Sequence, residues 1–427
     1  MLTKAEKYYK MTLYVIKWGD NIMTVIEFFT NSPLENMISC FSLKPEKVIF
    51  VGKGTDLHVK VGIFRRVAES MGLNTAITVK PAKCDSVEGI RDALDEIVKN
   101  EKDCCFDLTG GDDLALVAMG IVFQQYRGVK DLKMQRFDIK SGQLIDCVTN
   151  AKKNAVYTNA ALTAKEYIEL HGGKIKKSTG FKSDIEGDVE RLWSICRKDP
   201  VTWNRLINVL GRSRTTHYFP VDSNDAVLDQ ELGSRIYSDS FIKINAMLRA
   251  LADSKLIINV KKEANCYYFS YSSDVVKRCL SKAGDVLELF VLLAASMITK
   301  DDGSLLYNDY ISNVEIDWDG RYGDKSVIDG TMNEIDVFLM KGLLPVFISC
   351  KNGDVDENEL YKLSTVAERF GGVYGKKVLV LASLNKDENQ IKFFMQRAVD
   401  MGITVINNVM NNDLSQFSER LRDEIKF

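Results

Sequence analysis

The sequence predicts an α/β protein of two or three domains: a parallel sheet with helices on both faces, a mostly helical middle, and a second, small α/β unit. Three observations carry this. The chain has 427 residues, too many for one ordinary core. Strand-like and helix-like segments alternate through its first third, the pattern of a parallel sheet. From Gly284 onward the order becomes helix, strand, strand, helix, strand, which fits a compact mixed unit.

Composition narrows the class. Hydrophobic residues make up 45% and charged residues 27%, the balance of a soluble globular protein rather than a disordered or fibrous one. The formal net charge of -2 does not announce a nucleic-acid binder, although a groove needs only a few cations facing phosphates. Nine cysteines without a CxxC pair, and only three histidines, argue against structural zinc and for reduced thiols used as small buried hydrophobes. Met1 to Lys10 is charged and has no apolar centre, so no signal peptide is expected. Val286 to Ile298 is short for a membrane span and contains Glu288. A cytoplasmic protein with no membrane partner is the expectation.

Residues 1–22 form an N-terminal extension of undetermined structure. Strands are expected at Thr24–Thr30, Lys47–Val51, Thr75–Val79 and Cys104–Leu108, with helices over His58–Met71, Ser86–Lys99 and Asp112–Gln125. A hairpin follows over Met134–Cys147. Ligands of such sheets bind outside the carboxyl ends of the strands, which selects Asn31, Ser32, Gly52 to Thr55 (with Gly54 and Thr55 at the tip) and Thr109 to Asp112 as one rim. At the last of these, the glycines of Thr109-Gly110-Gly111-Asp112 let a ligand approach the backbone closely, and the free N–H groups of a helix start favour an anion. The loop is neither a Walker loop nor GxGxxG.

From Leu162 to Lys282 the chain reads as mostly helical, with Trp193 and Trp203 on packing faces. Ile242–Ser254, followed by Leu256–Val260 and Cys266–Tyr271, reads as a winged helix. Such a module can dock on DNA or act as a spacer. The lack of an Arg/Lys-rich recognition helix favours the spacer. The domain boundaries expected on this basis are 1–22, 23–165, 166–282 and 283–427.

The chemistry is concentrated in Asn333-Glu334-Ile335-Asp336-Val337 and Phe347-Ile348-Ser349-Cys350-Lys351. Side chains alternate along a strand, so Glu334 and Asp336 share one face, and Ser349 and Lys351 share another. A hairpin through Lys341-Gly342 makes these positions converge. Carboxylates in such a place can hold magnesium or manganese, which polarises a phosphate and acidifies a bound water. A lysine beside them orients that water or neutralises developing charge.

This segment resembles the Asp…(Asp/Glu)-x-Lys signature of PD-(D/E)xK nucleases, with Ser349 standing at the middle acidic position. Glu334 can substitute from the same strand face, Glu359 can reach in from the next helix, or the site is inactive. That family places a glutamate on its first helix beside the metal, and Glu288 matches the position; its other reading is a partly exposed surface acid. With the Thr109-Gly110-Gly111 loop, Leu162–Gly172 (LTAKEYIELHG), the Gly284–Phe290 helix start and Ser349–Gly353, the whole chain resembles the CARF-domain nucleases of type III CRISPR systems. The resemblance implies a Rossmann-like CARF domain, a homodimer, and cyclic tetra-adenylate held at Asn31, Ser32, Gly54, Thr55, Thr109, Gly110, Gly111 and Asp112. It further implies a C-terminal nuclease that cleaves DNA or RNA with Asp336, Lys351, Glu288, Glu334 and Ser349, using Mn2+ or Mg2+ held by Asp336, Glu334, Glu288 and Glu359. The alternatives are a CARF sensor whose nuclease fold only signals, and a winged-helix regulator.

Overall fold

The computed structural model describes residues 23–29, 32–54, 56–139, 141–154, 160–180, 185–216, 223–318, 332–384 and 386–426. The extension 1–22 and the candidate ligand residues Asn31 and Thr55 lie outside them. Two compact units emerge, Met1–Thr158 and Asn159–Phe427.

The first unit is a seven-stranded sheet of order β3-β2-β1-β4-β5-β6-β7. Strands β1 (Thr24–Phe28), β2 (Lys47–Lys53), β3 (Ala76–Ala82), β4 (Cys104–Asp107) and β5 (Leu132–Asp138) run parallel, as their apolar runs between turn signals suggest. The expected hairpin is the antiparallel pair of β5 with β6 (Gln143–Asp146), and β7 (Lys152–Asn154) closes the edge. Helices α3 (Val87–Asn100) and α4 (Asp113–Tyr126) cover Ile26, Ile49, Val51 and Phe106 on one face. On the other, α2 (Asp56–Ser70) inserts Phe64 against Phe50, ring centres 5.0 Å apart and edge to face.

Helix α1 (Pro33–Leu43) was not expected from the sequence. Its inner face carries Asn36 and Ser39 among Met37, Ile38 and Cys40, so its buried stripe is not apolar. Because α1 leads to β2 on one side of β1, whereas β4 and β5 lie on the other, strand order reverses between β1 and β4. That switch point is where a doubly wound sheet opens a crevice at its carboxyl ends.

In the second unit a six-stranded sheet runs β16-β15-β14-β13-β12-β8. Its strands are β8 (Lys174–Gly180), β12 (Asp309–Asp317), β13 (Met332–Lys341), β14 (Leu344–Lys351), β15 (Lys376–Leu381) and β16 (Ile403–Ile406). The first four are antiparallel, and β14, β15 and β16 are parallel. Two of these strands correct the sequence reading. β8 lies within the stretch expected to be helical: KIKKSTG offers one apolar residue, and the strand sits at a sheet edge guarded by lysines. β12 has no counterpart in the expected helix-strand-strand order, because the buried Ser312 stands in line with Val314 and Ile316 and interrupts the apolar alternation.

Between β8 and β12 lie α6 (Glu186–Cys196), α7 (Pro200–Thr216), β9 (Asp225–Asp229), α8 (Gln230–Ile236), α9 (Phe241–Asp253), β10 (Ile257–Glu263), β11 (Cys266–Tyr271), α10 (Asp274–Cys279) and α11 (Asp285–Ser296). The expected helix with its two-stranded hairpin is present as α9, β10 and β11. β9 adds an unanticipated third strand, in the order β10-β11-β9. α11 is buried along its length, and Phe290 stacks between Trp193 at 4.1 Å and Phe417 at 5.2 Å. Trp203 is fully buried, as its expected packing role requires. One apolar cluster runs from Val189 on α6 to Ile425 beyond the last helix, α14 (Leu414–Glu424), so the middle helices and the C-terminal sheet share a core. α5 (Ala164–Leu170), α12 (Glu357–Gly371) and α13 (Glu388–Asp400) complete the unit. Among the described residues no helix is long and apolar enough to cross a membrane.

Candidate functional site

β13 and β14 pair from Lys341↔Leu344 to Val337↔Ile348, around a turn at Gly342-Leu343, where Gly342 adopts φ 63°. At the open end of this hairpin Asp336 takes over from the ladder. Its Oδ2 accepts the Cys350 backbone N–H at 2.7 Å and the Ser349 hydroxyl at 3.1 Å. Ser349 therefore donates to the aspartate instead of replacing a carboxylate. Lys351 Nζ lies 3.7 Å from Asp336 Oδ2 and 3.1 Å from Glu359 Oε2 on α12. Burial works against its charge, yet Asp336 and Glu359 hold the ammonium above the usual lysine range. Glu359 also binds Lys362 at 2.7 Å. These two lysines keep it below the ordinary glutamate range despite its burial.

Glu288 is 2% exposed on α11. Burial, with the charges of Asp336 and Asp285, pushes its carboxyl up to about 7. Two cations meet it: Arg278 at 3.3 Å and Lys282 at 3.5 Å. Lys282 also reaches Glu334 at 3.2 Å, on the more exposed end of β13. Direct contacts thus join Asp336, Ser349, Lys351 and Glu359, and Lys282 bridges Glu288 and Glu334. Arg278, Lys282 and Asp285 were absent from the sequence reading. Their signal was a cluster of cations, Lys277, Arg278 and Lys282, directly followed by Asp285 and Glu288 at the start of an apolar helix.

Among the described residues no three His, Cys, Asp or Glu side chains converge as a ready cage for a metal. The donor set nonetheless suits a magnesium-type ion, which keeps several waters and takes one or two carboxylates. Glu288 and Asp336 are the two that fit, since the charge of Asp336 helps to raise the Glu288 carboxyl, a repulsion that a divalent cation would relieve.

In the first unit the rim residues lie at the switch point. Asp107, at the end of β4, is 1% exposed. Its oxygens accept the Thr109 N–H and the Ser39 hydroxyl, each at 2.6 Å. Glu27, its register partner on β1, accepts from Asn36 at 2.7 Å. Burial raises both carboxyls, Glu27 well above its usual range with Asp107's charge adding to the effect. The sequence reading missed this acid pair, although a glutamate inside TVIEF was its visible sign.

Thr109 Oγ1 accepts the Phe137 N–H at 2.8 Å, tying the loop to β5. Gly111 sits at φ 122° and so demands glycine, while a side chain on Gly110 would fall 2.9 Å from Glu35 Oε2, a flexible end that can move aside. Asp112 caps α4 through the Ala115 N–H at 2.8 Å. Ser32 occupies the N-cap of α1, and Gly54 at φ 67° faces open space after β2. The loop thus presents backbone, while its Thr109 and Asp112 side chains are engaged in holding it.

No protein-family model matches the chain. No curated protein matches it. Solved structures are similar over nearly its whole length, two of them as follows. Protein VC1899 from Vibrio cholerae has 16% identity and a TM-score of 0.70, covering 94% of this chain and 98% of that one. Can2 from Sulfobacillus thermosulfidooxidans, in complex with cyclic tetra-adenylate, has 18% identity and a TM-score of 0.65, covering 95% and 100%. At these identities the likeness is one of fold.

Proposed function

We propose that the chain is a cyclic oligoadenylate-responsive nuclease of CRISPR defence, with a CARF-type sensor in its first unit and a PD-(D/E)xK-type, metal-dependent nuclease in its second. The observation that carries this is the fold shared with Can2, whose structure holds cyclic tetra-adenylate, across 95% of this chain and 100% of that one. In the second unit Asp336 and Glu288 hold the divalent ion. Glu288, buried beside Asp336, is the first-helix glutamate, whereas neither candidate to replace the missing acid at Ser349 is free for the role. Glu359 is engaged by two lysines, and Glu334 is nearly half exposed. When bound, Mn2+ or Mg2+ polarises the scissile phosphate and acidifies the attacking water. Lys351 is charged at neutral pH and directed at Asp336, so it orients that water and offsets charge that develops on the phosphate. Ser349 holds Asp336 in register.

The sensor reading rests on the glycine loop at the switch point, where a doubly wound sheet binds its ligand. Homodimerisation is supported by α4, which follows that loop. Leu114, Val117 and Ile121 are 38%, 51% and 44% exposed and fall on one helical stripe. Paired with the same stripe of a second copy, they place two loops around a two-fold symmetric ring. Val117→Asp is expected to yield monomers in light scattering at micromolar concentration and to lose messenger binding. A variant that stays dimeric removes α4 from the interface.

The test is cleavage of supercoiled plasmid, single-stranded DNA and RNA in Mn2+, with and without cyclic tetra-adenylate. Cleavage is expected only with the messenger. Silence in every lane, with the messenger shown to bind by calorimetry, supports the second reading, a sensor whose nuclease fold signals by conformation; Ser349 is the observation that favours it. Failure to bind the messenger removes the sensor assignment. Thr109→Val with Asp112→Ala is expected to weaken that binding by up to about thirtyfold by loosening the loop, since each change removes a net hydrogen bond of about 1 kcal/mol.

A further inference from the structure

We propose that Lys282 is a tethered counter-cation that closes the nuclease carboxylates to a divalent ion in the conformation described, so that metal entry requires its displacement. This rests on the nuclease reading above. The Lys282 ammonium lies 3.2 Å from Glu334 Oε1, 3.5 Å from Glu288 Oε1 and 3.5 Å from Asp285 Oδ1. Two carboxylates from α11 and one from β13 thus contact a single amine. Arg278 completes the shell, with Nε 2.6 Å from Asp285 Oδ2 and a terminal nitrogen 3.3 Å from Glu288 Oε2. Both oxygens of Glu288 therefore face a cation of the chain itself. The Asp285 and Glu288 side chains are only 7% and 3% exposed, so they are costly to leave without a counter-charge.

The two cations differ in how firmly they are held. Arg278 is 20% exposed and makes a close hydrogen bond to Asp285. Lys282 is 53% exposed and bonds at the long end of the range, so it can swing into solvent without opening the core. It belongs to the short connection between α10 and α11, which joins the three-stranded sheet to the helix that carries Glu288. A shift of that connection changes the cation at Glu288 without moving the strands that hold Asp336 and Lys351. An ammonium and a divalent ion compete for the same oxygens, and removing the tethered one favours the free one.

The experiment is a titration of the full-length protein with Mn2+, reading free Mn2+ by electron paramagnetic resonance, for wild type, Lys282→Met, Lys282→Arg, Asp336→Asn and Lys282→Met/Asp336→Asn. Lys282→Met keeps the stem and removes the charge. It is expected to bind Mn2+ about tenfold more tightly than wild type. Lys282→Arg stays near wild type, and the double variant loses the gain. Lys282→Met binding that is no tighter than wild type, with wild-type binding lost in Asp336→Asn, overturns the role of the lysine and leaves the metal site standing. Absence of Mn2+ binding in both wild type and Lys282→Met overturns the metal site and the counter-cation together. Equal melting temperatures for the four single-chain variants and wild type show that folding is not what the titration reads.

Discussion

Lys351→Ala is expected to lower phosphodiester cleavage about 10²- to 10³-fold, the usual loss when a group that stabilises developing charge is removed. The variant folds. Glu359 retains Lys362 at 2.7 Å and Asp336 retains the Cys350 N–H and the Ser349 hydroxyl, so neither acid is left without a partner. Asp336→Asn gives a similar loss of cleavage for a different reason. The asparagine oxygen still accepts the Cys350 N–H, which keeps β14 in place, but the charge that holds the metal is gone. Mn2+ binding separates the two variants: Lys351→Ala keeps it and Asp336→Asn loses it. Full activity in Lys351→Ala places the chemistry elsewhere on the chain.

Phe290→Ala is expected to destabilise the second unit by about 3–5 kcal/mol. The ring is fully buried on α11 and lies nearly parallel to Trp193, with 15° between planes, and to Phe417, with 24°. Removing it leaves a cavity flanked by two large rings that cannot both close on it. Chemical denaturation followed by tryptophan fluorescence measures the loss, because Trp193 reports the site directly. A change below about 1 kcal/mol would mean that the stack does not hold α11 against α6 and α14.

The legible parts of the sequence were those where one periodicity decided the structure. β1, β2 and β4 were visible as short apolar runs between turn residues, and β13 and β14 as apolar strands carrying acids and a lysine in alternation. α1 escaped because its buried face is partly polar, with Asn36 and Ser39 serving Glu27 and Asp107. β8 escaped because an edge strand needs little apolar surface. In the site, Asp336 and Lys351 followed from alternation along single strands. Lys282 did not, because its partners lie on α11 and β13 and only the tertiary fold brings them to one amine. Thr109 shows the converse: its place in the rim loop was legible, but its hydroxyl turns inward to Phe137.

β8 has a consequence for how the chain is made. Its partner is β12, with Gly180 opposite Ile311, and the whole helical middle is synthesised between them. During translation β8 emerges early and waits unpaired while α6 to α11 leave the ribosome. A hydrophobic strand in that position would seek other chains. Lys174, Lys176 and Lys177 make it a poor template for a neighbour, so the composition that hid the strand from sequence reading also protects the nascent protein.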